Sequence, residues 1–322
     1  MGIAVAYPSW HPHVEVWLLV AALAASYAVA VVRVGPRYAA AGRAPVTRLQ
    51  VVCFALGVLA VWVAADWPIH DIAERYNYSI HMVQHLVLSM VAAPLLLLGT
   101  PAWMLRLILR PPSLLFRTVR FCARFLPALI LFNFVLVLTH WPALVDFSLR
   151  SALAHFLIHA LIFVSALVVW MPVLSPMPEI PRLSPLPRML FLFAQSIVPT
   201  IPASFLTFGS SPLYRFYEHV PHLWGFSTVD DQRLAGLIMK IGGGLLLWLV
   251  IAVICLFGLS GIFAGLTAMA ISPFGGFLVV LESIAGVVVG IIFSRIAAEL
   301  ILIIFRINEH LGAIRDQGGG LR

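Results

Sequence analysis

Two pairs of histidines have a spacing that suits metal coordination from a helix. His81 and His85 are four residues apart, and so are His155 and His159. Residues at positions i and i+4 share one face of an α-helix, and imidazole is a ligand for copper, zinc and iron. The two pairs therefore predict a site at which two helices present imidazoles to one point. The spacing does not separate a copper site from a haem held by two histidines.

Three further residues are candidates for the same metal site. His140 lies in a Thr-His-Trp-Pro segment that ends a predicted helix, and we expect it at the same depth as the two pairs. Met239 offers a soft thioether donor for Cu(I), although methionine more often serves packing. Asp231 precedes an apolar stretch, where a carboxylate either stabilises the helix N-terminus or orients a ligating histidine.

The composition indicates the environment in which these helices lie. Of the 322 residues, 62% are hydrophobic and 10% are charged, whereas soluble domains carry about 25% charged residues. Apolar runs of about twenty residues, the length that crosses a bilayer, recur along the chain. We therefore predict an all-α polytopic membrane protein that contacts the lipid bilayer.

Nine membrane spans are predicted, arranged as a seven-helix bundle (residues 1–256) and a module of two C-terminal transmembrane helices (residues 257–322). The short, uncharged connection at residues 257–260 separates the two parts, and eight spans remain an alternative. The predicted spans cover residues 15–34, 47–67, 79–98, 125–146, 152–174, 187–208, 234–256, 261–281 and 284–305.

The charges predict the orientation of the chain. Arginines concentrate in alternate loops, whereas the other loops hold most of the acidic residues. By the positive-inside rule, the N-terminus lies outside, the C-terminus is cytoplasmic, and ten of the eleven histidines lie at the outer side. The net charge of +7 is thus explained by topology, and we expect no nucleic acid as a partner.

Several motifs together indicate a family. They are His81-Met-Val-Gln-His85, Ala93-Pro-Leu-Leu-Leu-Leu-Gly-Thr-Pro101, Trp67-Pro-Ile-His-Asp71, Trp170-Met-Pro172 and Asp231-Gln-Arg-Leu-Ala-Gly-Leu-Ile-Met239. Over residues 10 to 256 the chain resembles the CtaG-type family of cytochrome c oxidase assembly factors, which are seven-span proteins of the bacterial inner membrane. The resemblance implies a role in maturing a haem–copper oxidase, with oxidase subunits as partners. It favours a metal site that includes His81, His85, His155, Asp231 and Met239.

The C-terminal module has a different resemblance. An Arg295-x3-Glu299 helix that runs into Phe305-Arg-Ile-Asn-Glu309 resembles a family of small uncharacterised two-span bacterial proteins. The module offers no evident metal ligand, which indicates docking to a larger respiratory complex.

Three functions remain open at this point. The leading hypothesis is a non-enzymatic assembly factor that binds copper at an outward-facing histidine site. The second is a haem- or quinone-binding subunit of a respiratory membrane complex, and the third is a purely structural subunit. No nucleophile and base stand at a catalytic spacing, so we do not expect an enzyme.

Overall fold

The computed structural model describes residues 7–39 and 44–292, and within these ranges the chain is helical with no β-strand. Its α-helices are α1 (Val14–Val29), α2 (Arg48–Ala65), α3 (Ile69–Arg75), α4 (Tyr78–Leu86), α5 (Ala93–Gly99), α6 (Ala102–Leu109), α7 (Leu114–Cys122), α8 (Phe125–Thr139), α9 (Pro142–Ser148), α10 (Ala152–Leu174), α11 (Pro185–Ile197), α12 (Thr200–Phe208), α13 (Thr228–Leu237), α14 (Gly243–Ala268) and α15 (Pro273–Ile292).

Seven helical segments in these ranges are long and apolar enough to cross a membrane, and the number is eight if the bent pair α7–α8 counts as one span. The prediction of an all-α polytopic membrane protein is confirmed. An even number of crossings returns the chain at Ile292 to the side on which α1 begins, whereas nine crossings would separate the two ends. The predicted orientation of the termini therefore stays a prediction.

Polar side chains set where several helices begin. The Thr47 hydroxyl accepts the backbone N–H of Gln50, whose side chain accepts the N–H of Thr47 in return, so α2 starts with a capping box. Ser151 caps α10 through the N–H of Ala154. These bonds satisfy N–H groups that have no partner inside the helix and that lipid would leave unpaired.

Two spans contain a π-helical turn near the candidate site residues. Val87–Ala92 joins α4 to α5, and Ile238–Gly242 joins α13 to α14. Pro94 follows the first π turn at the start of α5 and has no N–H to donate, so the wider turn accommodates a missing helical hydrogen bond. π turns are frequent at functional sites. The turn at Val87–Ala92 begins two residues after His85.

The predicted connection at residues 257–260 is wrong. These residues lie inside α14, which continues to Ala268, and the turn before α15 comes at residues 269–272. The glycines near this segment permit close packing. A Cβ added to Gly261 would lie 2.6 Å from the Ser283 hydroxyl of α15, and small residues at such contacts are a common way to pack membrane helices.

The fourth predicted span, residues 125–146, is shorter in the structure. Helix α8 ends at Thr139, just before Trp141 and Pro142 start α9. On its other side α8 meets α7 at an angle of 88°, so the two helices reach the length of a span only as a bent pair.

The described residues form two compact units. Those in Met1–Leu183 and Ala194–Gly244 form the first, and those in Ser184–Phe193 and Leu245–Arg322 form the second. The predicted boundary at residue 256 remains a prediction, and the Arg295 and Glu299 motif lies outside the described residues. All the candidate site residues belong to the first unit.

Within the first unit, α5 packs against α2 at two glycines. A Cβ at Gly57 would lie 2.8 Å from Leu96, and one at Gly99 would overlap the backbone of Phe54. Helix α10 packs against α5 and α8, and α13 packs against α4 and α12. This arrangement brings α4 and α10, which carry the two histidine pairs, into the interior of one helical bundle.

Candidate metal centre

The N-terminus of α4 is fixed by one buried carboxylate. Asp231 of α13 accepts the backbone N–H groups of Tyr78 and Ser79 at 2.6 and 3.3 Å, and its side chain is 1% exposed. It also accepts the Ser79 hydroxyl and, at 3.1 Å, the amide of Asn77. The negative charge at the start of the helix is favourable, and it fixes the frame from which His81 and His85 project.

The facing pair is positioned in the same way by α10. Because Ser151 caps this helix, His155 and His159 lie about one and two turns from its start. The pair on α4 lies at the corresponding depth, since α4 begins at Tyr78. The ring centroid of His81 lies 5.7 Å from that of His155 and 5.5 Å from that of His159. The four imidazoles that the sequence singled out therefore lie side by side.

Three of these histidines form the first candidate site, which we call the imidazole trio: His81, His85 and His159. Each offers one ring nitrogen, and these nitrogens lie within 4.8 Å of one another. The Nε2 atoms of His85 and His159 are 3.2 Å apart. Two ligands on one tetrahedral zinc-like ion are about 3.3 Å apart, given metal–nitrogen bonds of about 2.0–2.1 Å. This nitrogen pair therefore already has the separation of two ligands.

Unused ring nitrogens distinguish the trio from ordinary packing. His81 and His85 are 5% and 7% exposed, and their Nδ1 atoms are buried without a hydrogen-bond partner. A buried polar atom without a partner costs free energy, so native proteins seldom keep several of them together without a purpose.

His140 flanks the trio at the end of α8. Its ring centroid lies 5.8 Å from that of His85, and its Nδ1 lies 2.7 Å from the carbonyl oxygen of Leu136. Only a protonated Nδ1 can donate to that oxygen, so Nε2 of the neutral ring carries a free lone pair. This Nε2 is buried without a partner. Such a carbonyl bond is the usual way to orient a metal-binding histidine.

His155 joins a different group, together with two residues that the sequence reasoning did not select. His70 and Glu74 lie on the short helix α3, and one ligand atom from each of the three residues falls within 4.8 Å of the others. The Glu74 carboxylate is 3.2 Å from His155 Nε2 and 3.4 Å from His70 Nε2. We call this group the carboxylate site.

A signal for the carboxylate site was present in the sequence. His70 and Glu74 have the same i,i+4 spacing as the two histidine pairs. Their segment looked like a loop between spans, however, and the contact with His155 is made across the fold.

The series of histidines continues to the N-terminal end of α1. The His13 ring lies 4.7 Å from that of His70, and its Nε2 is 2.9 Å from the carboxylate of Asp71, which is 1% exposed. Burial lowers the pKa of His13, but the hydrogen bond and charge of Asp71, helped by Glu15, raise it above the usual value. The raised pKa favours the protonated form of His13 beside this carboxylate, at one edge of the cluster.

Two of the predicted ligands have other contacts in the structure. Both oxygens of Asp231 accept hydrogen bonds from the start of α4, so this residue positions the helix that carries two of the trio. Met239 lies in the π turn of the last bundle span and packs in an apolar cluster with Met82 and Tyr78. Tyr78 in turn stacks on His81 at 5.6 Å, so Met239 supports the site from the next layer.

The comparisons with known proteins confirm the family that the sequence motifs indicated. A family model described as cytochrome c oxidase caa3 assembly factor matches residues 25–258, and a model for a domain of unknown function (DUF4282) matches residues 244–316. No curated protein and no solved structure matches the chain. The family match covers well over half of the sequence and contains all the candidate metal ligands. The chain belongs to the cytochrome c oxidase caa3 assembly factor family.

Proposed function

We propose that this assembly factor is a non-catalytic protein that binds one Cu(I) ion at the imidazole trio and delivers it to a subunit of a haem–copper oxidase. The observation that carries the proposal is the set of three imidazoles, whose ligand nitrogens lie within 4.8 Å of one another in a buried position. His140, with its free Nε2 beside His85, is a fourth ligand within reach of a small rearrangement.

The choice of Cu(I) follows from charge. The trio consists of neutral rings with no carboxylate among them, so each positive charge on the ion must be buried without a counter-charge. A monovalent ion carries the smaller penalty. Imidazole is also an accepted ligand of copper, and the apolar cluster with Met82 and Met239 lies next to the site through Tyr78.

The same geometry disfavours the haem alternative. A porphyrin held by His85 and His159 would need free space around both rings. The rings of His81 and His155 lie only 4.3 Å from His85 and 4.2 Å from His159, respectively. A single ion needs no such space.

The transfer requires access from one side of the membrane. We propose that the N-terminus lies outside in the bacterial plasma membrane, because the arginine-rich loops then lie in the cytoplasm. We also propose that the C-terminal tail is cytoplasmic, which requires an odd number of crossings over the whole chain. The trio is then in the extracytoplasmic half of the bundle. We further propose that the C-terminal helices contact the oxidase or a larger respiratory complex.

The proposal is tested by anaerobic Cu(I) titration of the purified full-length protein against a chromophoric competitor. We expect about one tightly bound Cu(I) per wild-type chain, and its loss in His85→Gln and His159→Gln. The control is His219→Gln, since His219 is an exposed loop histidine and the variant should bind as wild type.

Unchanged Cu(I) affinity in His85→Gln would remove the trio as the copper site. A Soret band in the spectrum of the purified protein would instead support the haem-binding alternative. Wild-type protein that binds neither copper nor haem would leave the purely structural role.

A further inference from the structure

We propose that the carboxylate site, formed by His70, Glu74 and His155, is a second metal site that takes a divalent cation. Its ligands differ from those of the trio. The proposal does not depend on copper binding at the trio. The two contacts of Glu74, at 3.2 and 3.4 Å from the histidine nitrogens, match the separation of about 3.3 Å between neighbouring ligands on a tetrahedral ion.

The burial of the ligands fits a site near the edge of the bundle. The His155 side chain is 5% exposed, and its Nε2 is buried without a hydrogen bond although it faces the Glu74 carboxylate. His70 and Glu74 retain 17% and 26% exposure. This nitrogen therefore lies beside a carboxylate oxygen that an incoming cation could also reach.

A buried amide controls the tautomer of His70. Gln84 Nε2 lies 3.1 Å from His70 Nδ1, while its Oε1 is buried without a partner. When the amide N–H donates to Nδ1, the proton of the neutral ring sits on Nε2, which lies 3.4 Å from the Glu74 carboxylate. Rotating the amide by half a turn brings Oε1 to Nδ1–H and frees the Nε2 lone pair for a metal.

This rotation exchanges atoms of nearly equal size and gives the unpartnered Oε1 a hydrogen bond. The histidine would then be oriented by an amide oxygen, as metal-binding histidines commonly are by oxygen acceptors. Gln84 is thus a positioning residue that allows both the metal-free and the metal-bound arrangement.

The ligand chemistry selects the charge of the ion. Two imidazoles and one carboxylate suit borderline divalent ions such as Zn²⁺, Fe²⁺ or Cu²⁺, and the three oxygen and nitrogen donors leave room for a water or a transferred ligand. The negative charge of Glu74 offsets part of the charge of the ion, which the neutral trio cannot do. We therefore use Zn²⁺ as the probe.

The test is a Zn²⁺ titration of the full-length protein against a fluorescent chelator. Glu74→Gln keeps the size of the side chain but removes its charge, and we expect Zn²⁺ affinity to fall by about 100-fold or more. Its matched control is Glu218→Gln, because Glu218 is an exposed acid of another loop. This control should bind Zn²⁺ as wild type does.

Zinc affinity that is equal in Glu74→Gln and wild type would overturn the proposal, and so would wild-type protein without tight Zn²⁺ binding. A second measurement does not depend on any variant. X-ray absorption at the zinc edge of the wild-type complex should show two imidazoles and oxygen donors. Three or more imidazoles without oxygen would assign the zinc to the trio instead. The two proposals are tested separately, because Glu74→Gln should lose Zn²⁺ affinity and still bind Cu(I).

Discussion

Replacing Asp231 by Asn tests whether one carboxylate holds the histidine-bearing helix in place. One oxygen of Asp231 accepts the Tyr78 N–H at 2.6 Å, and the other accepts Asn77 and Ser79. An Asn side chain has a single oxygen, so its NH₂ group would face one of these donors. The contact is buried, which means that water cannot replace the lost partner.

The cost can be estimated from the bonds. Losing a charge-assisted hydrogen bond costs about 1.5–3 kcal/mol and leaving a buried N–H unpaired about 1–3 kcal/mol, and the lost charge at the helix N-terminus adds about 0.3–1 kcal/mol. Because the terms overlap, we expect Asp231→Asn to destabilise the protein by about 3–5 kcal/mol. This corresponds to a melting temperature lower by roughly 6–12 °C.

The assay is thermal unfolding of the purified protein in detergent, followed by the fluorescence of its nine tryptophans. The adjacent Asp230 provides a matched control, since its side chain is 58% exposed and forms an ion pair with Arg233 at 3.6 Å. Surface pairs of this kind contribute about 0–1 kcal/mol, so Asp230→Asn should melt within roughly 2 °C of wild type. Equal melting temperatures for the two variants would refute the role assigned to Asp231.

Two further predictions concern an ion pair, formed by Arg106 and Glu179, and the orientation of the chain in the membrane. The hydrogen bond from Arg106 to Glu179, 2.7 Å long, lowers the pKa of this carboxyl. Glu179→Gln should therefore melt below wild type at pH 7. The difference should begin to shrink as the pH falls below about 4.3, the ordinary pKa of a glutamate, and should disappear once the pH is below the lowered pKa of Glu179. A difference that persists in strong acid would contradict the ion pair. For the orientation, a membrane-impermeant maleimide should label Glu218→Cys but not Arg117→Cys in intact cells, each variant being made in a chain without other cysteines. The reverse labelling pattern would invert the proposed topology.

The sequence predicted the helices well where one unbroken apolar run lies between clear end signals. The bounds predicted for α10, residues 152–174, are those of the structure, because a run of apolar residues between a serine cap and a proline-rich turn leaves little alternative. The prediction failed at residues 257–260. There a short, uncharged connection between two apolar runs was predicted, whereas small residues in a membrane helix can also form a packing surface within one continuous helix.

The sequence predicted the histidine pairs that lie within one helix, but not how residues from different helices combine. The pairs on α4 and α10 follow from an i,i+4 pattern, and the motifs that resemble the family favoured His81, His85 and His155. The division of these residues between two groups was not predictable. It depends on α3, a short helix whose His70 and Glu74 reach His155 only after the chain has folded, and no pattern in the sequence records such a contact.

The proximity of the two proposed sites has a consequence for transfer. His155 and His159 are neighbours on α10, with ring centroids 4.2 Å apart, so ions bound at the two sites would lie within several ångströms of each other. At a separation of about 6 Å and an effective dielectric constant of about 20, a divalent and a monovalent cation repel by roughly 5 kcal/mol. Such repulsion is reciprocal, so filling one site weakens the other. The Cu(I) and Zn²⁺ titrations described above, run in either order on one sample, would measure this repulsion.

A site that binds a buried ion tightly needs a means of release, and a second cation at the carboxylate site would supply one without any movement of the helices.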